Sequence, residues 1–357
     1  RFVLTNQWRE DYVACPTMLT SRLNPRETAM GFSAKTGLRS SIAYGLFSLL
    51  AATAYAQGGA PQGNWSVAAQ TTAERTEIGT AEVNGKIYVL GGVALGREDS
   101  PINQEFDPAT GRWRDLAPMP RGTSHVGVAA LNGKIYVAGG FTANVHKNPL
   151  DQFAEYDVAK DQWRQLAPLS SPRGSVGLAA LGGKLHVIGG RGPDAKTLAT
   201  HEVYDPATNK WTMAAPLPVA RDHLGIIAVN GKIYVVGGRT DATVDNTAYT
   251  DVYDPATDKW QSLAPMPTKR SSGAITFYRG LILYFGGECK NTVTRATFNE
   301  VEGYDPKANR WTTLAQPPTG LHAHAAATVR DAAYFIGGSS GCGGDGPSKA
   351  VYSFRLP

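Results

Sequence analysis

A unit of four short strands, marked each time by a glycine pair, recurs six times along this chain and leaves few folds open to it. The clearest copy runs from Arg221 to Trp260. An apolar run turns at Asn230-Gly231 and continues from Lys232 to Val236, where it stops at Gly237-Gly238. Asn-Gly readily takes the positive φ of a type I′ turn, so the two runs read as a tight hairpin. After a polar loop a third strand ends in Tyr253-Asp254-Pro255, and a fourth is entered at Trp260. Each copy is therefore a four-stranded antiparallel meander, with strands a, b, c and d in chain order.

The glycine pairs fall at 91-92, 139-140, 189-190, 237-238, 286-287 and 337-338, with spacings of 48, 50, 48, 49 and 51. Third-strand aromatics keep step at Phe106, Tyr156, Tyr204, Tyr253, Tyr304 and Tyr352, and Trp113, Trp163, Trp211, Trp260 and Trp311 follow the first five by seven residues. Such a period with four strands per copy predicts an all-β chain: a six-bladed β-propeller of four-stranded antiparallel blades. The joint phasing of Gly-Gly, aromatic, Asp-Pro and Trp resembles the kelch repeat, over roughly residues 57–356. The sixth copy lacks a fourth strand, whereas Asn64-Trp65-Ser66-Val67 reads like one. The N-terminal strand is expected to complete blade six and close the ring, removing two open sheet edges.

Residues 1–29 share nothing with the repeat and receive no fold. From Met30 the chain has the anatomy of a secretory signal peptide over 30–56: Lys35 and Arg39, an apolar stretch from Ile42 to Ala52, and Ala54-Tyr55-Ala56 before Gln57. The apolar stretch is short of the roughly 20 residues a spanning helix needs. The expectation is an exported protein, periplasmic or secreted, whose propeller occupies 57–357 and which has no membrane association after cleavage. Residues 1–56 carry six Lys/Arg and three Asp/Glu, so the remainder holds 29 basic against 27 acidic residues, a formal +2. That near-balance argues against a nucleic-acid partner, which calls for a basic excess or stripe. Cys289 and Cys342 follow the glycine pairs of blades five and six, in equivalent loops. An oxidising compartment would let them form a disulfide.

Antiparallel strands send the a–b and c–d turns to one face of the ring and the b–c and d–a connections to the other. The former are short and repetitive; the b–c loops vary, which is where binding normally resides on a rigid scaffold. On that second face Arg75, Arg173, Arg221 and Arg270 each stand 16 residues before their glycine pair, Arg121 stands at 18, and Leu321 takes the place in blade six. The resemblance implies that arginines here face a ligand pocket, joined by His125, His223 and His322 and by Arg191 and Arg239 on neighbouring loops. Permanently charged planar donors suit carboxylate, sulfate or phosphate groups. Pairing with Glu74, Glu77, Asp222 or loop acids is the competing structural use of the same arginines.

The recurring aromatic, Asp-Pro and Trp positions read as blade packing and turn capping. His322 and His324 stand at i and i+2, but no third metal ligand is evident beside them, so no metal and no cofactor is expected. No nucleophile motif occurs. The leading expectation is a recognition module holding an acidic small molecule, glycan or peptide on the b–c/d–a face. The alternative is an enzyme similar to the six-bladed kelch N-acetylneuraminate epimerases, which catalyse sialic acid mutarotation; Glu74, Glu77, His125 and His223 are then the acid–base candidates. A copper oxidase like galactose oxidase fits less well, since that family has seven blades and a Tyr-His copper constellation missing here.

Overall fold

The structure is a computed structural model that describes residues 62–357 apart from 95, 98, 144–145 and 291–294. The expectations for residues 1–29 and 30–56 lie outside the described residues. Six four-stranded antiparallel sheets make up the propeller. In blade one, Gly79–Val83, Lys86–Leu90, Asn103–Asp107 and Arg112–Asp115 are hydrogen-bonded in that order, and blades two to five repeat the arrangement. No helix among the described residues is long and apolar enough to cross a membrane.

Blade six consists of Ala325–Val329, Ala332–Ile336 and Ala350–Arg355, with Asn64–Gln70 as its outermost strand. Trp65 pairs with Phe354 as Trp211 pairs with Tyr204. This corrects one detail of the repeat, because Phe354 and not Tyr352 occupies the third-strand aromatic position. Phe354 lies opposite Ala333 on strand b, as Tyr204 lies opposite Leu185. Tyr352 falls two residues earlier on the strand, on the same face.

Neighbouring blades cover both faces of each b strand, so its pattern is a continuous apolar run and not an alternation. Ile87, Val89, Leu185, Val187, Ile233 and Val235 are all 0% exposed. The aromatic and Trp positions stitch blade to blade. Trp163, Trp211, Trp260 and Trp311 donate their indole N–H to the carbonyls of Ala117, Ala167, Ala215 and Ala264 in the preceding blade, at 2.8–3.0 Å. Trp65 makes the same bond to Ala315 of blade five, 2.6 Å. The Tyr204, Tyr253 and Tyr304 hydroxyls donate to Asn209, Asp258 and Asn309, whose same side-chain oxygens accept a backbone N–H from the preceding blade.

The glycine pairs are an interblade latch. The second glycine of each donates its N–H to the residue at the arginine position of the next blade, and the circle closes where Gly338 donates to Arg75, 2.7 Å. Gly337 has φ +65, and a Cβ there would lie 2.6 Å from the Arg75 carbonyl oxygen. Only glycine combines that conformation with that approach.

Blade three departs from its neighbours in burying a histidine pair. His186 Nδ1 and His201 Nε2 lie 2.9 Å apart, and His201 Nδ1 donates to the Ala215 carbonyl, 3.1 Å. His201 therefore accepts from His186, an arrangement that requires the His201 ring to be neutral. Burial pushes each down to about 4, with the neighbouring imidazole adding to the effect on His186. The unfolded chain protonates these groups near pH 6.5, so their contribution to stability is fully present above that pH and declines as pH falls toward about 4. Blade two carries Tyr136 and Phe153 at the same positions, rings stacked at 5.9 Å. Replacing His186→Tyr and His201→Phe together is expected to lessen the loss of urea midpoint between pH 6.5 and 4. An unchanged slope in the double variant would show that the pair takes up protons alike in the folded and unfolded protein, so that burial does not hold it neutral.

Candidate functional site

Each d–a connection enters its inner strand through one residue in the left-handed region: Glu77, His125, Ser175, His223, Ser272 and Ala323, with φ of 55, 57, 52, 49, 57 and 55. Their backbones form a closed circle in which each N–H donates to the carbonyl of its counterpart in the preceding blade, at 2.8–3.3 Å. Left-handed backbone is costly for residues with a Cβ, and this interlocked ring is what over-determines it. The same six residues, with the residue that follows each of them just ahead of the inner strands, line a cavity of about 100 Å³ at the channel mouth.

Two residues before this ring, Arg75, Arg173, Arg221 and Arg270 are 0% exposed and turned into the blades. Arg173 pairs with Glu202 and Arg221 with Asp251, both at 2.5 Å, and Arg270 with Glu302 at 2.9 Å. Arg75 donates to Gln104 and to the Gly91 carbonyl, 3.0 and 2.9 Å. The expected arginine ring at the mouth is thus replaced by a set of interior struts. Partners vary with them within this one chain: where Thr123 or Leu321 stands for arginine, Ala154 or Tyr352 stands for the acid. Burial pushes Arg75 down to about 10, still charged at neutral pH. Arg121 is exposed, and Thr123 fills the interior position in blade two.

The remaining candidates divide. Arg191 and Arg239 do reach the mouth, where both donate to Asp222, at 2.6 and 3.1 Å. Arg239 also pairs with Glu288 at 2.5 Å. His125 and His223 stand on the ring itself. His322 lies one residue off it, its Nε2 donating to the Gly341 carbonyl, 2.9 Å, while His324 packs against Phe285. Those two are not brought to a common point. Glu74 is exposed, away from the ring, whereas Glu77 Oε2 lies 3.2 Å from His125 Nε2.

Sequence reasoning missed His146, in the b–c loop of blade two. It stands over the ring with His125 and His223, the three ring centroids 5.1–5.2 Å apart. The His146 and His223 Nε2 atoms are 3.3 Å apart, and Arg239 Nη2 lies 3.2 and 3.1 Å from them. His223 Nδ1 donates to Asp222 at 2.5 Å, which leaves its Nε2 as an acceptor. Burial, with the neighbouring imidazoles and the Arg239 guanidinium adding to it, pushes His146 down to about 2 and His223 well below its ordinary value. Burial of Glu77 favours its neutral acid, but the charge and hydrogen bond of His125 prevail and hold the carboxyl far below the usual range. The signal for the ring was available: all six residues stand 14 before their glycine pair, a fixed place in the frame filled by Glu, His, Ser, His, Ser and Ala.

A disulfide joins Cys289 to Cys342, Cα atoms 5.0 Å apart, tying the b–c loops of blades five and six. It anchors Glu288, whose other oxygen accepts the Gly343 N–H, 3.1 Å.

A solved structure described as "Structure of YjhT" is similar to this chain in fold, with a TM-score of 0.69 at 16% identity, covering 79% of this chain and 95% of that one. No curated protein sequence matches. The family model of the Attractin/LZTR1 beta-propeller matches residues 87–343, most of the ring whose six kelch-type blades are described above. The chain belongs to the Attractin/LZTR1 β-propeller family of kelch-type proteins.

Proposed function

We propose that this protein is an exported recognition module that holds a carboxylate-bearing ligand at its channel mouth, on the b–c/d–a face. One observation carries the reading: Arg239 Nη2, at the mouth, is met by two neutral imidazole nitrogens and not by an acid. A ligand carboxylate would exchange those acceptors for a charged one, a bond worth about 1.5–3 kcal/mol. Export is supported by the Cys289–Cys342 disulfide and by the signal-like sequence of residues 30–56. The epimerase alternative has less support, because Glu77, held far below the usual carboxylate range, is a weak base.

Saturation-transfer NMR with N-acetylneuraminate, citrate and a Glu-rich peptide tests this. At least one of the three is expected to receive transfer, with affinity about 10–100-fold weaker in Arg239→Gln. The same spectra report the anomer exchange rate of N-acetylneuraminate, which a pure binding module leaves unchanged. No transfer to any of the three probes, or equal transfer in Arg239→Gln, would remove the reading.

A further inference from the structure

We infer that His125, His146 and His223 are the ligand set of a divalent transition-metal ion at the channel mouth, with Glu77 as the fourth donor. The inference rests on the preceding reading only for the location of the site. A ligand atom of each histidine lies within 4.8 Å of the others. The 3.3 Å between the His146 and His223 Nε2 atoms, and the 3.2 Å between His125 Nε2 and Glu77 Oε2, are close to the edge of a zinc tetrahedron. Bonds of about 2.0–2.1 Å set that edge at about 3.3–3.4 Å.

The support behind the ligands is that of a metal site. Asp222 holds His223 by Nδ1, and Ser124 Oγ lies 3.0 Å from His125 Nδ1, so both rings offer Nε2 to the common point. Carboxylate and hydroxyl partners of this kind orient metal-bound imidazoles and fix their tautomer. His125 Nε2 is buried and faces the Glu77 carboxylate, the proposed fourth donor. Charge agrees: among the described residues, the carboxylates of Glu77, Asp222 and Glu288 at this mouth outnumber the guanidinium groups of Arg191 and Arg239 that pair with Asp222 and Glu288. Three imidazoles with a carboxylate suit zinc, cobalt, nickel or copper and not magnesium or calcium. Arg239 Nη2 donates to two of the same nitrogens, so an entering ion displaces that contact while the Asp222 and Glu288 pairs retain the side chain.

Cobalt(II) titration provides the test, read by the visible bands of a tetrahedral site and by metal analysis after desalting. One equivalent is expected per chain. His146→Ala, a half-buried loop position whose replacement leaves the blades intact by circular dichroism, is expected to weaken binding by about 100-fold or more, beyond the 10–100-fold of an outer-shell change. His223→Ala should do the same. Arg239→Gln should bind cobalt at least as tightly as wild type, although it loses the carboxylate ligand. Cobalt binding without any carboxylate binding upholds the metal site and removes the recognition reading. Carboxylate binding without stoichiometric cobalt, or cobalt binding indifferent to His146→Ala and His223→Ala, overturns the metal site.

Discussion

Deleting residues 57–70 is expected to yield a protein that is insoluble or has no cooperative melt, because the deletion removes the outer strand of blade six. Asn64–Gln70 is the strand that follows Ala350–Arg355 in that sheet, and its loss exposes a six-residue edge at the seam. The strand also carries Trp65, whose ring lies 5.0–5.2 Å from Phe285, Phe335 and Phe354 and whose indole N–H is bonded to blade five. In the other blades a short turn joins the third and fourth strands; in blade six those strands come from distant parts of the chain and are held together by hydrogen bonds and side-chain packing. Trp65→Ala alone should cost about 3 kcal/mol, near the low end for a large aromatic because the ring is only partly buried. For a domain of this size that is a fall in Tm of roughly 6–12 °C. A truncated protein that melts where the intact one does would show that blade six stands without its borrowed strand.

Glu202→Ala is expected to destabilise the fold by about 3–5 kcal/mol, since it leaves the fully buried Arg173 guanidinium without its counter-charge. Arg173→Ala should be comparably harmful for the converse reason. The chain supplies its own control in blade six, where Leu321 and Tyr352 take the two positions. Combining Arg173→Leu with Glu202→Tyr should recover most of the stability lost in either single variant, a coupling that denaturant midpoints measure as a double-mutant cycle. Additive losses would mean that the two side chains do not act as a pair. Neither variant touches the channel mouth, so ligand and metal affinity per folded molecule should stay at the wild-type value. An arginine ring at the mouth would have produced the opposite pattern, with binding lost and stability kept.

The repeat was legible because its information is local. Asn-Gly hairpins, glycine pairs in conformations closed to other residues, and an aromatic seven residues before a tryptophan each specify geometry over a few residues. Six copies in phase then admit one closed ring. The borrowed strand was legible for the same reason, since Asn64-Trp65 carries the signature of a fourth strand wherever it stands. The pairing of Cys289 with Cys342 followed from their equivalent places in adjacent copies.

What the chain by itself determined is the architecture: six blades, the seam between Trp65 and blade six, and the face on which variable loops gather. Tertiary structure alone decided which side chains meet at the axis. A single left-handed residue at the entry to each inner strand places Glu77, His125 and His223 at the mouth and leaves the arginines two positions earlier inside the blades. The mouth collects one residue from each of several blades, and His146 joins from a loop 21 residues beyond His125. Contacts of that kind are set by ring closure, which no local stretch of sequence encodes.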